Sequence, residues 1–420
     1  MPMTSLKRFQ TALDHRQPDR PPMDFGATHV TGMNVTTVHR LRQALLGEKD
    51  YRVKVIEPYQ MLGEIDAKLA EALGVDVVGV MGPRTMFGFE NKDFKPLRLF
   101  DGTDVLVPGQ FNITTDDKGD WYIHPEGDTS IAPSGHMPKD GFYFDAICRQ
   151  EPIDEDNLDI RDNLEEFGPL SRQVVDFMVA SARAAGAAGK GAILSAPGAG
   201  FGDIALVPAM WMRRTKGIRD VQEWYMATAA NRDHVYAIFE KQCEIALGNL
   251  AVLAKALGDD VQVVFTTGAD FGTQNGLFIS PNAYRDLYQP FHKQINAFIH
   301  NNTSWKPFIH SCGSVVRLIP DFIESGFEVL NPVQCSACGM EARKLKDAYG
   351  DRLTFWGGAV DTQKTLPFGT AQQVYDEVRG RIDIFGRNGG FVFNAIHNIQ
   401  AMVPIENVLA MFKAYRDSSN

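Results

Sequence analysis

The densest run of chemically useful residues is Lys306-Pro-Phe-Ile-His-Ser-Cys-Gly-Ser314. A short apolar stretch ends in His310, and Ser311-Cys312-Gly313 turns away from it. Residues i and i+2 of a strand point to the same face, so His310 and Cys312 can converge on one ion. Imidazole and thiolate are both good zinc ligands, and Gly313 lets the backbone bend tightly behind them. A His-x-Cys taken alone fits two unrelated buried residues equally well. Cys335 and Cys338, in Gln334-Cys-Ser-Ala-Cys-Gly339, form a Cys-x-x-Cys that either binds zinc, cycles a disulfide or packs as small residues in a loop. The glycine-rich run Ser195-Ala-Pro-Gly-Ala-Gly-Phe-Gly202 lacks the Lys-Ser/Thr ending of a P-loop, and its spacing misses the dinucleotide fingerprint. It reads instead as a close-packed loop near substrate.

Elements able to position these residues recur along the chain. Short apolar runs with strand character lie at Pro22–Phe25, Val75–Val80, Ala192–Ser195, Val261–Thr266, Pro307–His310, Glu328–Asn331, Leu353–Trp356 and Gly390–Asn394. Helical periodicity fills most gaps, as at Ile218–Leu257, Pro281–Asn301, Val315–Ser325 and Ala371–Phe385. Asp50–Leu73 also reads as an amphipathic helix, kinked or split at Pro58 and closed by Gly74. Eight strands alternating with helices predict one (β/α)₈ TIM barrel over residues 1–420. A stretch rich in Asp, Gly, Pro and aromatics, Phe100 to about Glu166, reads as a β-rich insertion after the second strand, either a solvated excursion or a lid.

In such a barrel the reacting groups sit at the C-terminal ends of the strands. Asp270 and Gln274 follow the fourth expected strand, Asn331 closes the sixth, Asp361 follows the seventh and His397 the eighth. Asp270 is the candidate for acid–base work or for supporting a ligand. Gln274 and Asn331 are candidates to orient substrate or a ligand histidine. After the first strand, His29, Asn34 and His39 are candidate substrate contacts, as is Asp361. Phe87, Phe89, Trp211 and Tyr225 are read as core more than as pocket.

Composition narrows the function classes. The chain carries 42 basic and 52 acidic residues, a formal charge of −10, which argues against nucleic-acid binding. Five cysteines are too few and the wrong parity for a secreted disulfide scaffold. Met1 to Pro18 lacks the pattern of a signal peptide, and no apolar run approaches the roughly 20 residues of a membrane helix, so a cytoplasmic protein off the membrane is expected.

These residues together resemble a known family. His310-Ser-Cys-Gly313 is similar to the His-x-Cys-Gly ligand motif of corrinoid-linked methyltransferases in the uroporphyrinogen-decarboxylase-like superfamily. Gly276-Leu-Phe-Ile-Ser-Pro281 with the following Tyr284–Phe291 helix, Trp356-Gly-Gly-Ala-Val-Asp361, and Pro404-Ile-Glu-Asn-Val408 also look like its signatures. The likeness is good over the C-terminal two-thirds and loose over the first 170 residues. It implies a zinc site whose third ligand lies seven residues before the proline of Pro-x-Glu-Asn. Many relatives have cysteine there; here the position is His397. The implied set is His310, Cys312 and His397 with an open fourth position, and Cys335 or Cys338 stands as the rival third ligand.

The resemblance further implies a corrinoid (cobalamin) supplied by a separate corrinoid protein, since nothing in this chain is similar to the Asp-x-His-x-x-Gly motif of a cobalamin carrier. A small-molecule methyl donor or acceptor is the other expected partner, and a homodimer is entertained. Two neutral imidazoles and one thiolate leave more positive charge on zinc than two thiolates would, which suits polarising an oxygen leaving group. The expectation is therefore methyl transfer from a methoxylated, aromatic donor to the corrinoid protein, as in O-demethylation. Alternatives are the second-step transfer from methyl-corrinoid to a thiol or tetrahydrofolate, a non-catalytic corrinoid- or porphyrin-binding barrel, and uroporphyrinogen decarboxylase. The last needs cationic side chains for eight carboxylates, yet residues 21–39 hold no Lys or Arg, and the familiar Arg-Gln-Ala-Gly-Arg motif is missing.

Overall fold

The computed structural model describes residues 3–154 and 157–418. Glu155 and Asp156, inside the stretch read as an insertion, lie outside the described residues, as do Met1, Pro2, Ser419 and Asn420. Seven short parallel strands form one curled sheet: β1 (Val77–Val80), β2 (Gly191–Ser195), β3 (Val263–Thr267), β4 (Lys306–His310), β5 (Val329–Asn331), β6 (Thr354–Trp356) and β7 (Phe391–Val392). Each pairs with its neighbour in chain order, which is the connectivity of a TIM-like barrel.

The expected first strand closes the curl without becoming a ladder. Met23 bridges Phe393 in parallel. Asp24 N–H donates to the Phe393 carbonyl at 3.0 Å, and Asp76 N–H donates to the Met23 carbonyl at 2.8 Å, so residues 22–24 span the gap between β7 and β1. Pro21 and Pro22 have no N–H to give, and Gly26 turns the chain at φ +92°.

Alternation along the strands builds the interior in layers. Ala27, Val77, Ile193, Val263, Phe308, Val329, Trp356 and Val392 form one cluster together with Phe9 and Leu13. Those two come from the N-terminal helix Ser5–Leu13, which plugs the bottom of the barrel. Phe9 meets Trp356 edge to face, and its ring takes the space a side chain at Gly191 would need. Two residues further along β3, β4 and β5, the same inward face presents Phe265, His310 and Asn331.

Helices cover the outside much as the periodicity predicts. Ala371–Phe385 has the expected bounds and starts with a Thr370/Gln373 capping box. Ile218–Leu257 divides at Asn231 into Val221–Ala230 and Arg232–Leu257, and Pro281–Asn301 divides at Tyr288, where Pro290 restarts the helix. Val315–Ser325 shortens to Ile319–Glu324.

The Asp50–Leu73 helix needs correction, because only Ala67–Leu73 is helical, capped by Asp66 and Gly74. Val55–Glu57 and Leu62–Gly63 instead pair as an antiparallel hairpin around Pro58. Gly63 packs so closely on Val35 and Val38 that a side chain there would clash. The insertion does consist of small antiparallel pieces, starting slightly earlier than expected. Lys95–Arg98 pairs with Asp104–Val107, and a four-stranded sheet runs from Ile113 to Ala146. Among the described residues no helix is long and apolar enough to cross a membrane.

Candidate metal centre

His310 is the last residue of β4, pointing up the lumen from the layer above Phe308. Its Nδ1 lies 2.6 Å from Asn331 Oδ1, and Asn331 Nδ2 donates to the Trp356 carbonyl at 2.9 Å. That second bond fixes which end of the amide faces the imidazole, so the proton sits on Nδ1 and Nε2 keeps a free lone pair. Nε2 is 3.4 Å from Cys312 Sγ. The ring lies parallel to Phe265 and packs edge-on to His397, with centroids 5.4 Å apart in the latter pair.

Every backbone N–H of the loop carrying Cys312 has a partner on a neighbouring loop. Ser311 donates to the Asn331 carbonyl and Ser314 to the Thr273 carbonyl, each at 2.7 Å. Cys312 donates to Asp270 Oδ1 at 2.6 Å, and Gly313 to Gln334 Oε1 at 2.7 Å. Gly313 has φ +84°, and a Cβ on it would sit 2.5 Å from the Gly272 carbonyl carbon; a Cβ on Gly272 would sit 2.6 Å from the Cys312 carbonyl oxygen. The loops after β3 and β4 therefore touch backbone to backbone, as only glycines permit.

His397 follows β7 and approaches from the far side of the lumen. Its Nδ1 accepts the Asn398 N–H at 2.8 Å. A bound metal would displace that contact whichever ring nitrogen it took. One ligand atom from each of His310, Cys312 and His397 lies within 4.8 Å of the others. Burial pushes His310 down to about 4 and His397 to about 3, so both imidazoles are neutral at physiological pH. Burial, then the Asp270 carboxylate, raises the Cys312 thiol well above its ordinary range, so a metal binding there must displace its proton.

The donor set fits zinc. Two neutral imidazoles and a thiol in a half-buried pocket are its usual ligands, and a tetrahedral site with ordinary bond lengths has an S–N edge of roughly 3.5 Å. The 3.4 Å between His310 Nε2 and Cys312 Sγ matches that edge. Cys335 and Cys338 do not join the cluster among the described residues. Cys338 is exposed, its N–H donating to the Gln274 carbonyl.

Cys312 and His397 form one wall of a cavity of about 330 Å³. Gln274, Gln334, Asp361 and Gln363 line the rest, and no Lys or Arg does. Gln274 Nε2 donates to Gln363 Oε1, while Asp361 Oδ1 accepts the N–H groups of Gln363 and Lys364. His29 lies apart from this cavity. It lines a neighbouring one of about 450 Å³ beside Glu57 and Met81, and its carbonyl accepts from Asn398 and Gln60. Asn34 caps the helix Val35–Leu46 through Thr36 and donates to the Phe142 carbonyl. His39 spends both ring nitrogens on Tyr51 and Gln43. Phe87 and Phe89 stack together in the core, and Tyr225 stacks on Phe278.

Two residues near the site escaped the sequence reading. Gln334 carries no sequence signal of its own beside the two cysteines that follow it. Asp203 directly follows the glycine-rich loop after β2, and an acid at that point of a barrel is a signal that was available. Burial and the nearby Asp270 raise Asp203 to about 7.

A solved structure of a methyltransferase from Methanosarcina mazei is similar to the whole chain with a TM-score of 0.53 and 14% identity, covering 100% of both chains, which is a likeness of fold. The comparison with curated proteins finds no significant match. Residues 199–418, just over half of the chain and including β3 to β7 with all three clustered ligands, match the family described as Uroporphyrinogen decarboxylase (URO-D). The chain belongs to the uroporphyrinogen decarboxylase (URO-D) family.

Proposed function

We propose that this chain is a zinc-dependent methyltransferase that moves a methyl group from a methoxylated, aromatic donor to a corrinoid carried by a separate protein. The observation that carries the reading is the convergence of His310, Cys312 and His397, two neutral imidazoles and one thiol, at the open mouth of the barrel. Zinc held there would act as a Lewis acid and draw electron density from the ether oxygen of the donor. Asn331 fixes the His310 ring, Asp270 and Gln334 fix the cysteine loop, and the cavity lined by Gln274, Asp361 and Gln363 would receive the donor or the approaching corrinoid. His29 lines a separate cavity that a long donor would have to enter, whereas Asn34 is buried with both ends of its amide engaged and is left as a structural residue.

The decarboxylase reading has less support. A substrate with eight carboxylates calls for cationic side chains, and none lines the cavity beside Cys312. Arg42, the arginine nearest to the expected motif, is buried against Glu48 and Asp66 and stacked over Tyr51.

The test is metal content by elemental analysis on the wild type, His310→Ala, Cys312→Ser and His397→Ala, paired with demethylation of methoxybenzenes in the presence of a reduced corrinoid protein. One zinc per chain, lost in all three variants together with at least 100-fold in rate, is the expected result. Zinc kept in His397→Ala would move the third ligand to Cys335 or Cys338. No zinc uptake, or demethylation indifferent to chelation, would overturn the reading in favour of decarboxylation.

A further inference from the structure

Beside the strand that precedes the candidate ligands sits a carboxyl that the reading above leaves unused. Asp203 lies where the glycine-rich loop after β2 meets the end of β3. Its Oδ2 occupies the space a side chain at Gly268 would fill, 2.6 Å from an ideal Cβ there, and the same point lies 3.5 Å from the Phe265 ring. Phe265 is the ring parallel to His310, so Asp203 and His310 share one aromatic floor. Asp203 Oδ1 accepts the Ala205 N–H. Among the described residues no cation pairs with Asp203. The titratable groups around it come from four elements: Asp270 after β3, Tyr225 on the helix Val221–Ala230, Tyr59 in the hairpin turn and, at longer range, Cys312 after β4. All four are acids whose deprotonated forms are anions and none is basic, an arrangement that keeps a proton on a carboxyl rather than stripping it off.

We propose that Asp203 is the proton donor to the oxygen that departs when the methyl group is transferred, a step that rests on the methyltransferase reading. As the carbon–oxygen bond breaks, its electron pair stays on oxygen, while the carbon bonds to the nucleophilic cobalt(I) of the partner's corrinoid, which supplies the new pair. Asp203 gives its proton to that oxygen, so the products are a neutral phenol and an ionised Asp203, which regains a proton from solvent before the next cycle.

This assignment makes a prediction that does not need turnover. An ether oxygen can only accept a hydrogen bond, so a methoxybenzene binds best to protonated Asp203. The corresponding phenol can donate, so it binds best to the ionised form. With Asp203 raised to about 7, the two affinities run in opposite directions between pH 6 and 8, by about tenfold per pH unit at the limits.

The experiment measures dissociation constants of a methoxybenzene and of its phenol, by calorimetry, on zinc-loaded wild type and Asp203→Asn. Crossing pH profiles in the wild type, flat to within threefold in Asp203→Asn with zinc content unchanged, are expected. In turnover, Asp203→Asn is expected to slow anisoles with poor leaving groups at least 100-fold and nitro-activated anisoles much less. Parallel profiles, or crossing ones that persist in Asp203→Asn, would overturn the assignment while leaving the methyltransferase reading intact. Zinc-loaded protein that binds neither compound and demethylates neither would overturn both.

Discussion

Asn331 spends both ends of one amide on the candidate centre, taking the His310 Nδ1–H and giving a proton to the Trp356 carbonyl. The residue touches no ion, yet it decides which imidazole nitrogen is free. Partners of this kind are worth about 10–100-fold in metal affinity, so Asn331→Ala is expected to weaken zinc binding by that factor in a competition titration, with near-native circular dichroism. His310 and Cys312 were legible as a pair in the sequence because a strand's two-residue period places side chains without knowledge of the fold, and Asn331 because it closes a barrel strand at the end where reacting groups gather. His397 needed the family likeness, since no periodicity links residues 87 positions apart. Gln334 was not legible, because what matters about it is the loop it happens to face; Asp203 was legible only as an acid beyond a strand end, and its surroundings needed the fold.

At the scale of elements, the candidate metal centre depends on two loops pressed together at Gly272 and Gly313. Gly272→Ala would force the Cys312 carbonyl away by several tenths of an ångström or more, and the thiol with it. The expected outcome is a folded protein that has lost most of its zinc, read by elemental analysis beside an unchanged far-ultraviolet spectrum. The strand–helix alternation was legible for a similar reason to the ligands: each barrel unit carries its own apolar pattern. The stretch from Asp50 to Leu73 misled because Val55, Ile56, Met61, Leu62 and Ile65 fit a helical wheel and a tight hairpin alike. Pro58 and the close fit of Gly63 against Val35 decided for the hairpin.

Over the whole molecule, buried carboxyls make stability sensitive to pH, and one of them lies in the lumen. Asp24 sits there fully buried, accepting from Ala27 N–H and Trp356 Nε1–H, and burial raises it to about 7; Glu57, buried beside the hairpin turn, is raised to about 7 as well. Both are more readily protonated folded than unfolded. Folding therefore takes up protons between about pH 4 and pH 7, and stability falls as pH rises through that window. For Asp24 the loss is at most ~4 kcal/mol. Asp24→Asn is expected to lower the melting temperature at pH 5, where the lost hydrogen bond dominates, and to make it less dependent on pH between 5 and 8, as scanning calorimetry would register.

At the base of the same lumen, Phe9→Ala would open a void beneath Trp356 and cost about 3–5 kcal/mol in denaturant unfolding. That plug has a consequence for traffic. With Phe9 and Leu13 filling the far end, the proposed reading leaves donor, product and corrinoid carrier one doorway between them among the described residues. On the proposed reading the donor must be seated before the carrier covers the opening, and the phenol leaves only after the carrier has gone. A queue of this kind has a kinetic signature: beyond an optimum, more carrier slows the enzyme instead of saturating it.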